Sequence, residues 1–295
     1  MKHLYSFQGD KPTGTLYLVA TPIGNLEDMT FRAIETLRKA AVIAAEDTRQ
    51  SRKLLTHFEI EGSRLLSYHE HNKRSKEDEI LAILQSGEDV ALVTDAGTPG
   101  ISDPGADIVK AAVDVDIPVV PIPGAVAGVT ALIASGLPTD RFTFVGFLPR
   151  DKKARREELE ELKYRRETLI FYEAPHRVEE TVKALLESFG DRQLSIGREL
   201  TKRYEQFSRG KISECMQWFN QEKPRGEFVL IVEGATGKME NPHVEKPWWE
   251  DVELSTHVEK VIESGIPKKD AIKQVAKERG MQKREVYNAV IDLVD

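Results

Sequence analysis

The chain has 295 residues, 40% of them apolar, which is enough for two domains and a small third around a sizeable buried core. Its formal charge is −7 with 31% charged residues, a balance that argues against wholesale coating of nucleic acid, although an average conceals local patches. A single cysteine, Cys215, excludes an intramolecular disulfide and a cysteine zinc cage and fits a reducing, cytoplasmic setting. The first residues, from Met1 to Tyr5, lack the apolar run of a signal peptide, and no stretch approaches the roughly 18 apolar residues of a membrane span.

Strand and helix signals alternate along the chain. Residues 16–20 read as a buried strand, followed by a helix over about 30–40 with Phe31, Ile34 and Leu37 on one face. Residues 42–45 read as a second strand. Ser75 with Asp78 resembles a capping box opening a helix that ends before Gly87. A strand over 89–93 leads into the loop TDAGTPGISDPG (94–105), where Asp103 and Pro104 read as N-cap and first residue of a helix running to about Val113. With Val119 and Val120 as the next strand, the alternation predicts a mainly parallel sheet with helices on both faces. A second α/β unit follows, with a small, apolar helix over 124–135 and a longer one over 178–189 closed by Gly190. Its strands are predicted at 142–147, 168–172, 193–197 and 228–232. The expected division is 14–123, 124–234, a linker over 235–250 with scattered Gly, Pro and Trp, and a helical unit over 251–295.

Three polar or Gly/Pro-rich turns fall at the carboxyl ends of predicted strands: residues 21–25, 94–105 and 121–125. In open α/β sheets ligands bind at such ends. Converging, these turns would frame a cleft walled mostly by backbone, suited to a ligand with an adenine edge, a ribose and an amino-acid tail. The sequence has no G-x-G-x-x-G after its first strand, no phosphate-binding P-loop, no G-x-S-x-G elbow and no H-E-x-x-H. S-adenosylmethionine carries no phosphate and needs no phosphate cradle.

The segments VATPIGN (19–25), AEDTR (45–49), DAGTPGISDPG (95–105) and PGAVA (123–127) together resemble the tetrapyrrole-methylase superfamily. FYEAPHR (171–177) and GRELTK (197–202) resemble one branch of it, the bacterial 16S ribosomal RNA ribose 2′-O-methyltransferases that act on a cytidine in the decoding centre. The resemblance runs from about residue 14 to 234. It implies a two-domain α/β fold, with a mixed sheet in the second domain, and S-adenosyl-L-methionine in the cleft between them. It also implies a homodimer, the small ribosomal subunit as partner and a C-terminal helical module. Carried over by motif, the cofactor would meet Pro22 and Ile23; Asp95, Gly97, Thr98, Ile101 and Ser102; Ala125 and Val126; and Tyr172 and Leu200.

Methyl transfer to a ribose hydroxyl is an in-line displacement governed by positioning, helped by a general base or an alkoxide-stabilising cation. Candidates for proton chemistry are Glu46, Asp47, His69, Glu173 and His176; Arg49, Arg177, Arg198 and Lys202 are candidates for phosphate contacts. Plainer roles stay open: acids 46 and 47 as helix caps, and Glu173 and His176 as pins of the turn at Pro175. His69 and His71 have no cysteine nearby and no distant ligand signature, so no metal is expected. Residues 150–166 carry eight Lys/Arg against five Asp/Glu, and 198–211 five against two. Residues 267–279 and 283–294 around Gly280 suit a helix-turn-helix, with Ala276 and Val286 at its small and apolar positions. Lys268, Lys269, Lys283 and Arg284 are its candidate nucleic-acid contacts. The rivals are methylation of a tetrapyrrole or other small molecule, and a ligand-sensing DNA-binding regulator.

Overall fold

The computed structural model describes residues 12–221, 223–236, 248–249 and 251–290. Two compact units, Met1–Gly237 and Lys238–Asp295, make up the chain.

The first unit holds two five-stranded sheets. The first is built from β1 (Leu16–Val19), β2 (Val42–Ala45), β3 (Arg64–Ser67), β4 (Val90–Val93) and β5 (Val119–Ile122), alternating with α1 (Phe31–Lys39), α2 (Thr48–His57), α3 (Lys73–Gln85) and α4 (Ala106–Asp114). Its order is β3-β2-β4-β1-β5, and every pairing is parallel. All four residues of β2 and of β4 are buried, as expected of strands covered on both faces. Successive side chains point to opposite faces. Ile43, Ala45, Ala91 and Val93 pack with Leu37 of α1 and Leu55 of α2, while Val42, Ala44, Val90 and Leu92 pack with Ile80 of α3 and Ile108 of α4. The helices after the neighbouring strands β1 and β4 therefore lie on opposite faces, which opens a crevice at the carboxyl ends of these two strands.

The second sheet is mixed. After α5 (Ala127–Ser135) come β6 (Phe142–Phe147), α6 (Lys152–Leu162), β7 (Thr168–Glu173), α7 (Val178–Phe189), β8 (Gln193–Arg198), β9 (Gln206–Lys211), α8 (Ile212–Gln221) and β10 (Phe228–Val232). The order is β6-β7-β10-β8-β9, with only β6 and β7 parallel. One face packs on α6, α7 and α8; on the other, Ala131 and Leu132 of α5 meet Ile170, Val229 and Ile231. The second unit contains α9 (Leu254–Glu263), α10 (Lys268–Glu278) and α11 (Lys283–Ala289). Ala276 and Val286 are buried in its core, and Gly280 takes a φ of 63° in the turn between α10 and α11.

Several sequence expectations are corrected. Helix α3 starts at Lys73, so Ser75 lies inside it and donates its hydroxyl to the Asn72 carbonyl at 2.9 Å rather than capping. Asn72 closes the preceding turn, accepting from the His69 amide at 2.8 Å. Helix α4 starts at Ala106 after Gly105, whose φ of 147° turns the chain, so Asp103 and Pro104 belong to the loop. Of the expected linker, 237–247 and 250 lie outside the described residues, as do 291–295 of the expected last helix. Among the described residues no helix is long and apolar enough to cross a membrane.

Candidate active site

The loops after β1 and β4 are stitched together where they leave the sheet. Thr21 and Gly97 exchange two backbone hydrogen bonds of 2.8 and 3.1 Å. Gly97 has a φ of 84°, which suits a residue without Cβ. The Thr98 hydroxyl then donates to the Ala125 carbonyl at 3.2 Å, joining this loop to the segment entering α5. From the other side, the Asn25 amide donates to the Thr201 hydroxyl at 3.1 Å. Ser102, Glu199 and Thr201 all hold left-handed backbone conformations, with φ of 60°, 49° and 64°. Such non-glycine strain, about 1–3 kcal/mol each, persists where the surroundings over-determine the loop.

These loops enclose a cavity of about 470 Å³. Ile23, Gly97, Thr98, Ile101, Ser102, Val126, Tyr172 and Leu200, all expected cofactor neighbours, line it together with Ala96, Asp103, Ala127 and Phe147. The Tyr172 hydroxyl accepts from the Gly128 amide at 2.9 Å, and the rings of Phe144 and Phe147 pack edge-on against it at 5.1 and 5.7 Å. Burial raises the Tyr172 pKa, keeping its proton on. Three expected neighbours stand outside the lining. Pro22 and Asp95 border an adjoining groove, and Ala125 contributes the carbonyl held by Thr98.

The candidates for proton chemistry separate in space. Glu173 and His176 line the cavity, whereas Glu46, Asp47 and His69 do not. Both Glu173 oxygens are engaged: one accepts from the Ala174 amide at 2.9 Å, the other from the Thr181 hydroxyl at 2.6 Å, with the Arg177 guanidinium 3.6 Å away. His176 is exposed. Asp47 caps α2, and its hydrogen bonds to the Arg49 side chain and amide hold its pKa down to about 2. Burial raises that of Glu46. Asp95 links the strand ends, accepting from the Asp47 amide at 3.1 Å and donating its own amide to Glu46 at 3.4 Å.

Sequence reasoning passed over Asp103, taking it for a helix cap. It lines the cavity, and burial, followed by the charges of Glu46 and Asp95, pushes its pKa up to about 7. The available signal was three carboxylates at the ends of two neighbouring strands, residues 46, 95 and 103, but their convergence depends on sheet order. Of the cations singled out, Arg177 donates to the carbonyls of Leu148 and Pro149, and Arg198 to that of Arg225. Lys202 pairs with Glu199 and Glu227 at 3.0 and 2.8 Å. Lys269, Lys283 and Arg284 are exposed and Lys268 half-buried, all within the first turns of α10 and α11.

The model of the Tetrapyrrole (Corrin/Porphyrin) Methylases matches residues 15–215, which take in the whole first sheet and strands β6 to β9 of the second. The chain belongs to the tetrapyrrole methylase family. Within that family, it is 54% identical over 289 residues to "Ribosomal RNA small subunit methyltransferase I" of Bacillus subtilis, covering 98% of both chains. It is 55% identical over 288 residues to the protein of the same name from Halalkalibacterium halodurans, again covering 98% of each. Among solved structures, a uroporphyrin-III C-methyltransferase from Thermus thermophilus in complex with S-adenosyl homocysteine shares the methylase fold at a TM-score of 0.52 and 20% identity. The match covers 75% of this chain and 97% of that one.

Proposed function

We propose that this methylase transfers a methyl group from S-adenosylmethionine to the ribose 2′-hydroxyl of a cytidine in the decoding centre of 16S ribosomal RNA. In this reading it works in the cytoplasm as a homodimer on the small ribosomal subunit. The observation that carries it is the 54% identity, end to end, to a relative named as a small-subunit rRNA methyltransferase.

The cavity fits the cofactor chemically. Its lining is mostly small and apolar residues and includes a carboxylate, Asp103, bound in no ion pair among the described residues. When bound, S-adenosylmethionine supplies an electrophilic methyl group on a cationic sulfur. Ionised Asp103 favours such a cation electrostatically. Ile23, Ile101, Val126 and Leu200 exclude water and leave little freedom for misalignment, which matters because positioning is a major share of the barrier reduction. Glu173, held by Thr181 and Arg177, fixes the turn that carries His176. His176, exposed at the lining, is the side chain disposed to take the hydroxyl proton, a role worth roughly 10²–10⁴-fold.

Incubating the protein with methyl-labelled cofactor and small subunits lacking the modification tests the reading. Label in RNA that resists mild alkali beside the labelled nucleotide is the expected result. Unlabelled RNA alongside a labelled small molecule would overturn it in favour of tetrapyrrole-type chemistry. Sequence-selective duplex DNA binding without turnover would favour a regulator.

A further inference from the structure

We infer that the exposed face of α2 is a track for the sugar–phosphate backbone of the RNA strand leading to the cavity, an inference that rests on the rRNA-methyltransferase reading above. Ser51 and Leu55 turn inward. Arg49, Arg52, Lys53, Thr56 and His57 recur at the spacing of one helical face and are all exposed. No acidic residue occurs in α2, whereas every other described helix with a Lys or Arg also carries an acid. In a chain with 49 acidic and 42 basic residues, a basic helix without a single acid stands out.

Its geometry joins it to the site. A groove of about 500 Å³ is lined by Arg49, Arg52, Lys53, Thr56 and His57 alone. A second, of about 350 Å³, shares Lys53 and His57 with it and continues to Thr21, Pro22 and Asp95. Those are the loops whose next residues, Ile23 and Ala96, line the cavity. The charges are also available. Arg49 is 87% exposed while paired with Asp47, Lys53 donates to the neutral Gln50 side chain at 3.2 Å, and none of Arg52, Lys53 and His57 forms an ion pair among the described residues. By contrast, Arg177, Arg198 and Lys202 are tied into the fold. The acids nearest in sequence flank the track, Glu46 and Asp47 before its inner end and Glu59 and Glu61 beyond its outer end, and Asp95 borders the groove at the inner end. From Arg49 to His57 the helix rises about 12 Å.

Releasing counterions from a single strand gives a salt slope of about −0.7 per phosphate neutralised. The double variant R52Q/K53Q is therefore expected to flatten the log–log salt dependence of binding to unmodified small subunits by about 1.4. It should raise KM for the subunit with kcat retained, and keep the parent's cofactor affinity by calorimetry. K152Q/K153Q, an equal charge change on exposed α6, should leave the slope unchanged. An unaltered slope in R52Q/K53Q, or an equal loss in K152Q/K153Q, overturns the track. If the unsubstituted protein itself neither binds nor methylates the subunit, the rRNA reading fails, and the track with it.

Discussion

Asp103 sits where two demands conflict. Burial, then the charges of Glu46 and Asp95 beside its loop, makes the folded chain prefer it protonated, while a cationic donor prefers it ionised. The folded-state pKa of about 7 lies above the ordinary 3.8. The associated stability is thus fully present below about pH 3.8 and lost as the pH rises through 7. Asp103→Asn mimics the protonated form, so the variant should melt above the parent at pH 8, with the gap closing towards pH 5. Cofactor binding runs the other way. Parent affinity should rise between pH 6 and 8 as the carboxylate ionises, and the variant should bind more weakly with a flat profile. Calorimetry across that range checks this; a parent-like pH dependence in the variant would remove Asp103 from the site. A residue that destabilises the empty fold yet serves the ligand is the kind of local conflict expected at a functional site.

Elements whose local and global preferences agree were legible: strand Phe142–Phe147, helix Val178–Phe189 closed by Gly190, and strand Phe228–Val232 stand where their patterns put them. The others were obscured for physical reasons. Strand β3 has four residues with an exposed arginine, and β9 is a polar sheet edge, so neither carries an apolar period. The start of α4 was misjudged because the turn is made by Gly105, where an added Cβ would lie 3.0 Å from the Gly100 amide nitrogen. In the C-terminal unit the helices were readable but their central polar contact was not. His257, 1% exposed, accepts from Arg279 at Nδ1 (3.1 Å), meets Glu278 through Nε2 (3.1 Å) and stacks on Trp249. A proton on Nδ1 would confront the Arg279 donor. Burial, then the Arg279 charge, lowers the His257 pKa, so its contribution is present above about pH 6.5 and lost as the pH falls through the lower folded value. Amide exchange in α9–α11 should therefore accelerate between pH 7 and 5, after correction for intrinsic rates, with tryptophan fluorescence changing in parallel. Equal protection at both pH values would show that His257 does not hold the unit.

The homodimer in the proposed reading calls for a self-complementary apolar surface, and the second sheet offers one. Val129 and Ile133 project from the outer face of α5, and Phe142 and Phe144 from the edge strand β6; Ile133 is 73% exposed. The two elements adjoin, since the Phe144 ring lies 3.5 Å from where a Gly128 Cβ would stand. Four exposed large apolar side chains on two adjoining elements are the kind of surface that marks an interaction site, and on a chain of net charge −7 apolar contact would have to offset the repulsion between copies. A stable interface buries about 1,200–2,000 Å² in total, of which these side chains would form the centre. The inner face and first turn of α5 also shape the active site: Val126 and Ala127 line the cavity, and Gly128 holds Tyr172. A partner seated on the outer face would thus brace the helix that carries part of the cofactor wall. Ile133→Glu places a charge at the centre of that surface. It is expected to convert a dimer to a monomer in sedimentation equilibrium and to weaken cofactor binding, although residue 133 does not line the cavity. A parent that sediments as a monomer at tens of micromolar, or a monomeric variant with undiminished cofactor affinity, would separate assembly from the site.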